Sequence, residues 1–149
     1  MGGLNAYAYA PNPIQWTDPL GLNSTILNAQ LGGRVGDKMQ AHHVIPVEVW
    51  NRNSGFFNAI GMDGQRDLAA NGVLMPDSCS KARSMKRKFY HCGSHAIYSD
   101  QVDLSLSKIK EKFNNGTLNT QQARNKVAEL QNAQRAYLKQ SSTTSDRLK

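Results

Sequence analysis

The sequence predicts an α+β fold, a short-stranded first half followed by helices. Three observations carry this. Seven glycines between residues 32 and 72 (Gly32, Gly33, Gly36, Gly55, Gly61, Gly64 and Gly72) punctuate the middle of the chain, so its elements must be short. From residue 96 to 140 apolar side chains recur at helical spacing. A length of 149 residues supports one domain around one core.

Taken in order, residues 1–22 are rich in Tyr, Asn, Pro and Gly, which is extended or turn material that buries little by itself. Val44-Ile45-Pro46-Val47 is β-branched and predicts a brief strand, with Pro46 confining it to an end or an edge. Pro46 also suits the first turn of a short helix running through Trp50. Asn71-Gly72 predicts a turn that enters a second strand at Val73-Leu74-Met75-Pro76. Val102, Leu106, Ile109 and Phe113 share one helical face, and Asn114-Asn115-Gly116 ends that helix. Asn119 and Gln122 have capping-box spacing and start another, with Ala123, Val127, Leu130 and Tyr137 along its stripe. Residues 141–149 are polar and predict a flexible tail.

Lys and Arg number 18 against 11 Asp and Glu, a net charge of +7. That excess favours a polyanionic partner, and nucleic acid ahead of a membrane surface, because no basic amphipathic stripe with bulky apolar residues is present. No apolar run approaches the roughly 18 residues of a membrane span. The first residues lack a basic stretch followed by an apolar one, so no Sec-type signal peptide is expected. Two cysteines, Cys79 and Cys92, make no disulfide framework and are expected as thiols.

All four histidines fall in two clusters, His42-His43 and His91-x-x-x-His95. Histidine both ligates divalent metals and acts as a base near neutral pH. In an extended segment His42 and His43 point to opposite faces, which suits one ligand and one base. On a helix, His91 and His95 would share a face and offer two imidazoles to one ion, with Gly93 placing them at the helix start. Lys81, Arg83, Lys86, Arg87 and Lys88 put five positive charges in eight residues just before His91, a candidate phosphate-binding track. Arg34 and Lys38 are weaker candidates. Tyr98 is expected to pack rather than to meet a phosphate. A competing arrangement is a structural zinc site of Cys79, His91, Cys92 and His95 in a non-catalytic nucleic-acid-binding module, but Cys79 has no CxxC partner and His42-His43 would be left unexplained.

Three ordered motifs carry a resemblance: Ala41-His42-His43-Val44-Ile45-Pro46, Asn71-Gly72-Val73-x-x-Pro76, and His91-x-Gly93-x-His95-x-x-Tyr98. Together they resemble the AHH branch of the HNH and endonuclease VII (His-Me finger) nucleases. The resemblance implies a small ββα-metal core with the C-terminal helices added to it. It also implies a hairpin bearing the histidine pair and a helix bearing the later histidines. By carry-over, His43 is the general base, and His42, His91 and His95 hold one divalent ion. Asn71 takes the family's middle position, tying strand to loop and orienting the base. Hydrolysis would leave a 5′-phosphate. Three imidazoles favour Zn²⁺, Ni²⁺ or Mn²⁺, and Mg²⁺ is the abundant alternative. DNA is expected ahead of RNA by analogy with most nucleases of this fold.

The segment Gly2-Gly3-Leu4-Asn5-x-Tyr7-x-Tyr9-x-x-Asn12-Pro13, closing on Trp16-x-Asp18-Pro19-Leu20-Gly21-Leu22, resembles the end of the core repeat of Rhs polymorphic toxins. The resemblance implies three parts: a shell remnant over 1–22, a nuclease toxin domain over 23–140, and the tail over 141–149. It also implies self-cleavage after Leu22, at the junction made by Asp18, Pro19, Gly21 and Leu22. The chain is then a fragment of a shell-borne effector, exported without a Sec signal and acting in the cytoplasm of a target cell. An acidic cognate immunity protein and the Rhs shell are the partners this implies.

Overall fold

The computed structural model describes residues 22–149. Asp18, Pro19, Gly21 and the rest of the expected shell remnant before Leu22 lie outside the described residues. Leu22 opens the first helix, so the expected cut between Leu22 and Asn23 falls in that helix's first turn. The order is α1 (Leu22–Gln30), β1 (Met39–His43), α2 (Val47–Arg52), α3 (Ser54–Ala59), a 3-10 turn (Ala69–Asn71), β2 (Gly72–Pro76), α4 (Cys79–Ser84), β3 (Phe89–Tyr90), α5 (Ala96–Asn114), α6 (Thr120–Leu138) and β4 (Asp146–Arg147). This mixture of helices with a small antiparallel sheet is the α+β class that the sequence predicts.

β1 and β2 pair antiparallel, from Met39 opposite Pro76 to His43 opposite Gly72. The first strand therefore comes earlier than the β-branched run suggests. Val44 and Ile45 follow it as fully buried residues outside the ladder. Asn71 captures the backbone of Ile45 there, and Pro46, which has no amide hydrogen, caps α2. Gly72 is required by close approach: a Cβ would lie 2.6 Å from a methyl of Leu27, through which α1 packs on the sheet.

Between the strands, α2 and α3 fold back so that Trp50 and Phe57 stack with centroids 3.7 Å apart. α5 and α6 close the other side, sending Val102, Leu106, Ala123, Val127 and Leu138 into the same core as Val44, Ile45, Val73 and Met75. Ile109, Phe113, Leu130 and Tyr137 pack at its margin. The capping box at Asn119 and Gln122 forms with both of its bonds. No helix among the described residues is long and apolar enough to cross a membrane.

The flexible tail is not what the structure shows. Residues 141–149 run back along the chain, and β4 pairs parallel with β3. Lys88 donates to Gln140, Asp146 to Lys88, and Leu148 to Tyr90 through backbone bonds of 2.7–3.0 Å. Leu148, the one apolar side chain in the segment, is 3% exposed and anchors it. A polar composition hid a strap fixed by one buried leucine and by main-chain bonds, to which composition is blind.

Candidate metal and catalytic site

The side-chain alternation of β1 divides the histidine pair. His42 turns inward and is 3% exposed, while His43 faces a separate polar group. His91 and His95 meet His42 from the other side, with ring centroids 4.9 and 4.7 Å from it and 5.2 Å from each other. One ring nitrogen from each of the three lies within 4.8 Å of the other two.

His91 and His95 do not share a helix as expected. Gly93 between them is left-handed (φ 75°), so the chain loops out of β3 and enters α5 only at Ala96, with His95 as its N-cap. The amide of His91 donates to the carbonyl of Pro76 (2.8 Å), which ties the loop to the end of β2. The strap secures its far side, since the amide of Tyr98 donates to the carbonyl of Lys149 and the guanidinium of Arg147 to that of Ser94.

Hydrogen bonds decide which nitrogens face the centre. His91 Nδ1 lies 2.8 Å from Gln40 Oε1, an oxygen that can only accept, so Nδ1 carries the proton and Nε2 keeps its lone pair. Ser99 donates its hydroxyl proton to Glu48 (2.5 Å), leaving an acceptor 3.4 Å from His95 Nδ1, which again frees Nε2. His42 Nε2 is buried and has no hydrogen-bond partner. An orphaned nitrogen of this kind costs free energy unless something fills the centre. The ionisation state agrees. Burial, followed by the charges of its histidine neighbours, holds the pKa of His42 well below its ordinary value. Burial, then His95 and Arg147, brings His91 down to about 4, and burial also lowers His95. Three neutral imidazoles converging with outer partners on the Nδ1 atoms of His91 and His95 fit a divalent transition metal.

His43 Nε2 lies 2.8 Å from Asp67 Oδ1. Arg66 grips the same carboxylate with Nε (3.0 Å) and Nη2 (2.8 Å), and its Nη1 donates to Asn51 (3.0 Å). Burial lowers the pKa of His43 against the opposing pull of Asp67. Burial pushes Asp67 up, but the bonds from Arg66 and His43 outweigh it and keep the carboxyl below its ordinary value.

Asn71 does not line the cleft. It is 0% exposed, and its side chain accepts from the Ile45 amide (2.9 Å) and donates to the carbonyls of Ile45 (3.0 Å) and Arg66 (2.9 Å). It pins the turn after the histidine pair to the loop bearing Arg66, out of reach of any substrate. Tyr98 packs as expected, 2% exposed with its ring 5.5 Å from that of His42.

The cleft holding the four histidines is lined by Arg34, Lys38 and Arg66 among its cations, with Glu48, Asn51 and Asp67 beside them. Lys81, Arg83, Lys86, Arg87 and Lys88 do not line it. Their run breaks where α4 ends and Lys86 turns left-handed (φ 53°), and Lys88 lies over the Phe89 ring instead. The zinc alternative is not formed either. Cys79 and Cys92 are free thiols, and neither joins the histidine cluster among the described residues.

The charge count could not assign faces, so the weaker pair Arg34 and Lys38 holds the place expected of the stronger run. Sequence reasoning missed Asp67, Arg66, Gln40, Glu48 and Ser99. A signal existed for the first two, an Arg-Asp pair just ahead of Asn71.

No curated protein and no solved structure matches the chain. Residues 25–136 match AHH, described as a nuclease family of the HNH/ENDO VII superfamily with conserved AHH. That span takes in both strands of the hairpin, all four histidines and nearly all of the two long helices, and the chain belongs to this nuclease family.

Proposed function

We propose that the chain is a metal-dependent endonuclease toxin that hydrolyses phosphodiester bonds in the DNA of competing bacteria. The observation that carries the reading is the split of the histidine pair: His42 gives an orphaned Nε2 to a three-imidazole centre, while neighbouring His43 stands apart with a carboxylate. His42, His91 and His95 hold the ion, and neutral His43 is the general base. It takes a proton from a water whose oxygen bonds to phosphorus as the P–O3′ bond breaks, leaving a 5′-phosphate. The ion, when bound, supplies positive charge against the phosphate oxygens and the leaving 3′ oxygen. Zn²⁺, Ni²⁺ or Mn²⁺ suits nitrogen ligands best, with Mg²⁺ the alternative.

The net charge of +7 supports a nucleic-acid substrate and an acidic immunity protein seated over the cleft. Arg34 and Lys38, which line the cleft, are the phosphate-binding cations, and the Lys81–Lys88 run outside it contributes less. The Rhs-like pattern over residues 2–22 supports delivery from a shell, without a Sec signal, to a target-cell cytoplasm. DNA is chosen over RNA by analogy within the fold.

The test incubates the protein with supercoiled plasmid and, separately, with RNA, each with and without EDTA. Nicking that EDTA abolishes and added divalent ion restores is expected on plasmid. Cleavage confined to RNA would reassign the substrate, and cleavage undiminished by chelator would overturn the metal role.

A further inference from the structure

We propose that Asp67 is the positioning residue for His43, fixing its imidazole with the proton on Nε2 so that Nδ1 is the atom that accepts the proton from water. The inference rests on the reading of His43 as the base. An ionised carboxylate only accepts hydrogen bonds, so the 2.8 Å approach of Asp67 Oδ1 requires a hydrogen on His43 Nε2. A neutral imidazole then keeps its one lone pair on Nδ1.

The carboxylate is itself held. Arg66 binds both of its oxygens, and Asn51 binds Arg66, so the chain Asn51–Arg66–Asp67–His43 runs without a break along the wall of the cleft. The separation of base and carboxylate is fixed by a third group. Asn71 holds the backbone of Ile45, two residues past His43, and the carbonyl of Arg66, one residue before Asp67. The family's middle asparagine thus governs the base through Asp67 without touching it. Asp67 is not used up on the metal, because it does not join the cluster of His42, His91 and His95 among the described residues. A base held in one tautomer by a third group is the general pattern of activated catalytic pairs.

Two measurements on the full chain test this. In protein labelled with ¹⁵N at histidine and loaded with diamagnetic Zn²⁺, His43 is expected as the Nε2–H tautomer. An Nδ1–H tautomer would overturn the proposal without any variant. Asp67→Asn places an amide against Arg66 and loosens the ring. It is expected to lower kcat on saturating plasmid by about 100-fold, the lower end of what general-base catalysis contributes. KM and metal affinity should stay within about twofold, and Asp67→Glu should recover part of the rate. A folded, metal-loaded Asp67→Asn protein with kcat within threefold of wild type would sink the idea. His43→Ala separates the two readings. If it is inactive while Asp67→Asn is fully active, only the role of Asp67 fails; if it still cleaves at the wild-type rate, the base itself is misassigned.

Discussion

The Tyr98 hydroxyl donates a 2.6 Å hydrogen bond to the carbonyl of Val44, joining the first turn of α5 to the residue that follows the histidine pair. The same ring lies 5.5 Å from His42 and 5.8 Å from His95, edge-on to the latter. One side chain therefore sets the spacing between two halves of the metal centre that are far apart in sequence. Burial raises its pKa above the ordinary phenol value, so it stays a donor at every working pH.

Tyr98→Phe keeps the packing and removes only the donor. It leaves the buried Val44 carbonyl unsatisfied, which should cost about 1–3 kcal/mol of stability. Urea unfolding of metal-free wild type and variant measures this directly. A midpoint equal to that of wild type would show that water replaces the hydroxyl.

Metal affinity should separate ligands, outer partners and base. His91→Ala or His95→Ala should weaken binding by more than the roughly 10–100-fold typical of losing an outer partner, and Gln40→Ala should fall within that range. His43→Ala should bind metal as wild type does and fail to nick plasmid. Calorimetry with Zn²⁺ alongside a nicking assay reads both quantities. Loss of metal in His43→Ala would reverse the division of labour between the two adjacent histidines.

The metal-free protein should be acid-sensitive in a defined window. His42, His91 and His95 all have folded pKa values below the 6.5 of an open chain, with His91 at about 4. Between those limits the unfolded chain binds more protons than the folded one, so stability rises with pH. It is fully present above 6.5 and is lost as pH falls toward 4. Melting curves of chelated protein from pH 7.5 to 4.5 should show Tm falling throughout the lower part of that range. A Tm that rose on acidification would contradict neutral, buried imidazoles.

Salt dependence should rank the cations by place rather than by number. Each phosphate that a side chain neutralises adds about 0.9 to the slope of log affinity against log salt on duplex DNA, so replacing Arg34 and Lys38 with Ala should flatten it by about 1.8. Replacing the exposed Arg83 and Lys86 should change it by less than half as much. The opposite ranking would return the substrate track to the Lys81–Lys88 run.

The contrast between these two sets shows what the sequence could and could not convey. Alternation along a strand is a local rule, so the opposed directions of His42 and His43 were legible, as were α5 and α6 from their apolar spacing. His91 and His95 misled because four-residue spacing suggests a helix, whereas left-handed Gly93 carries them on a loop. Asp67 stayed hidden because its pairing with His43 spans 24 residues and depends on how α2 and α3 fold back. The facing of Lys81–Lys88 was equally unreadable, since it turns on a helix end at Ser84 and a backbone reversal at Lys86.

The parallel pairing of β4 with β3 also orders events during synthesis. Parallel neighbours need a long crossover, and here it is made of two 19-residue helices. A nascent chain that has reached only the end of α6 already carries all four histidines, yet its His91–His95 loop lacks the Arg147 side chain on Ser94 and, on either side, the main-chain bonds that Asp146, Leu148 and Lys149 make with Lys88, Tyr90 and Tyr98. On the ribosome, then, it is the arrival of Asp146 to Lys149, and not the appearance of the last histidine, that braces the site.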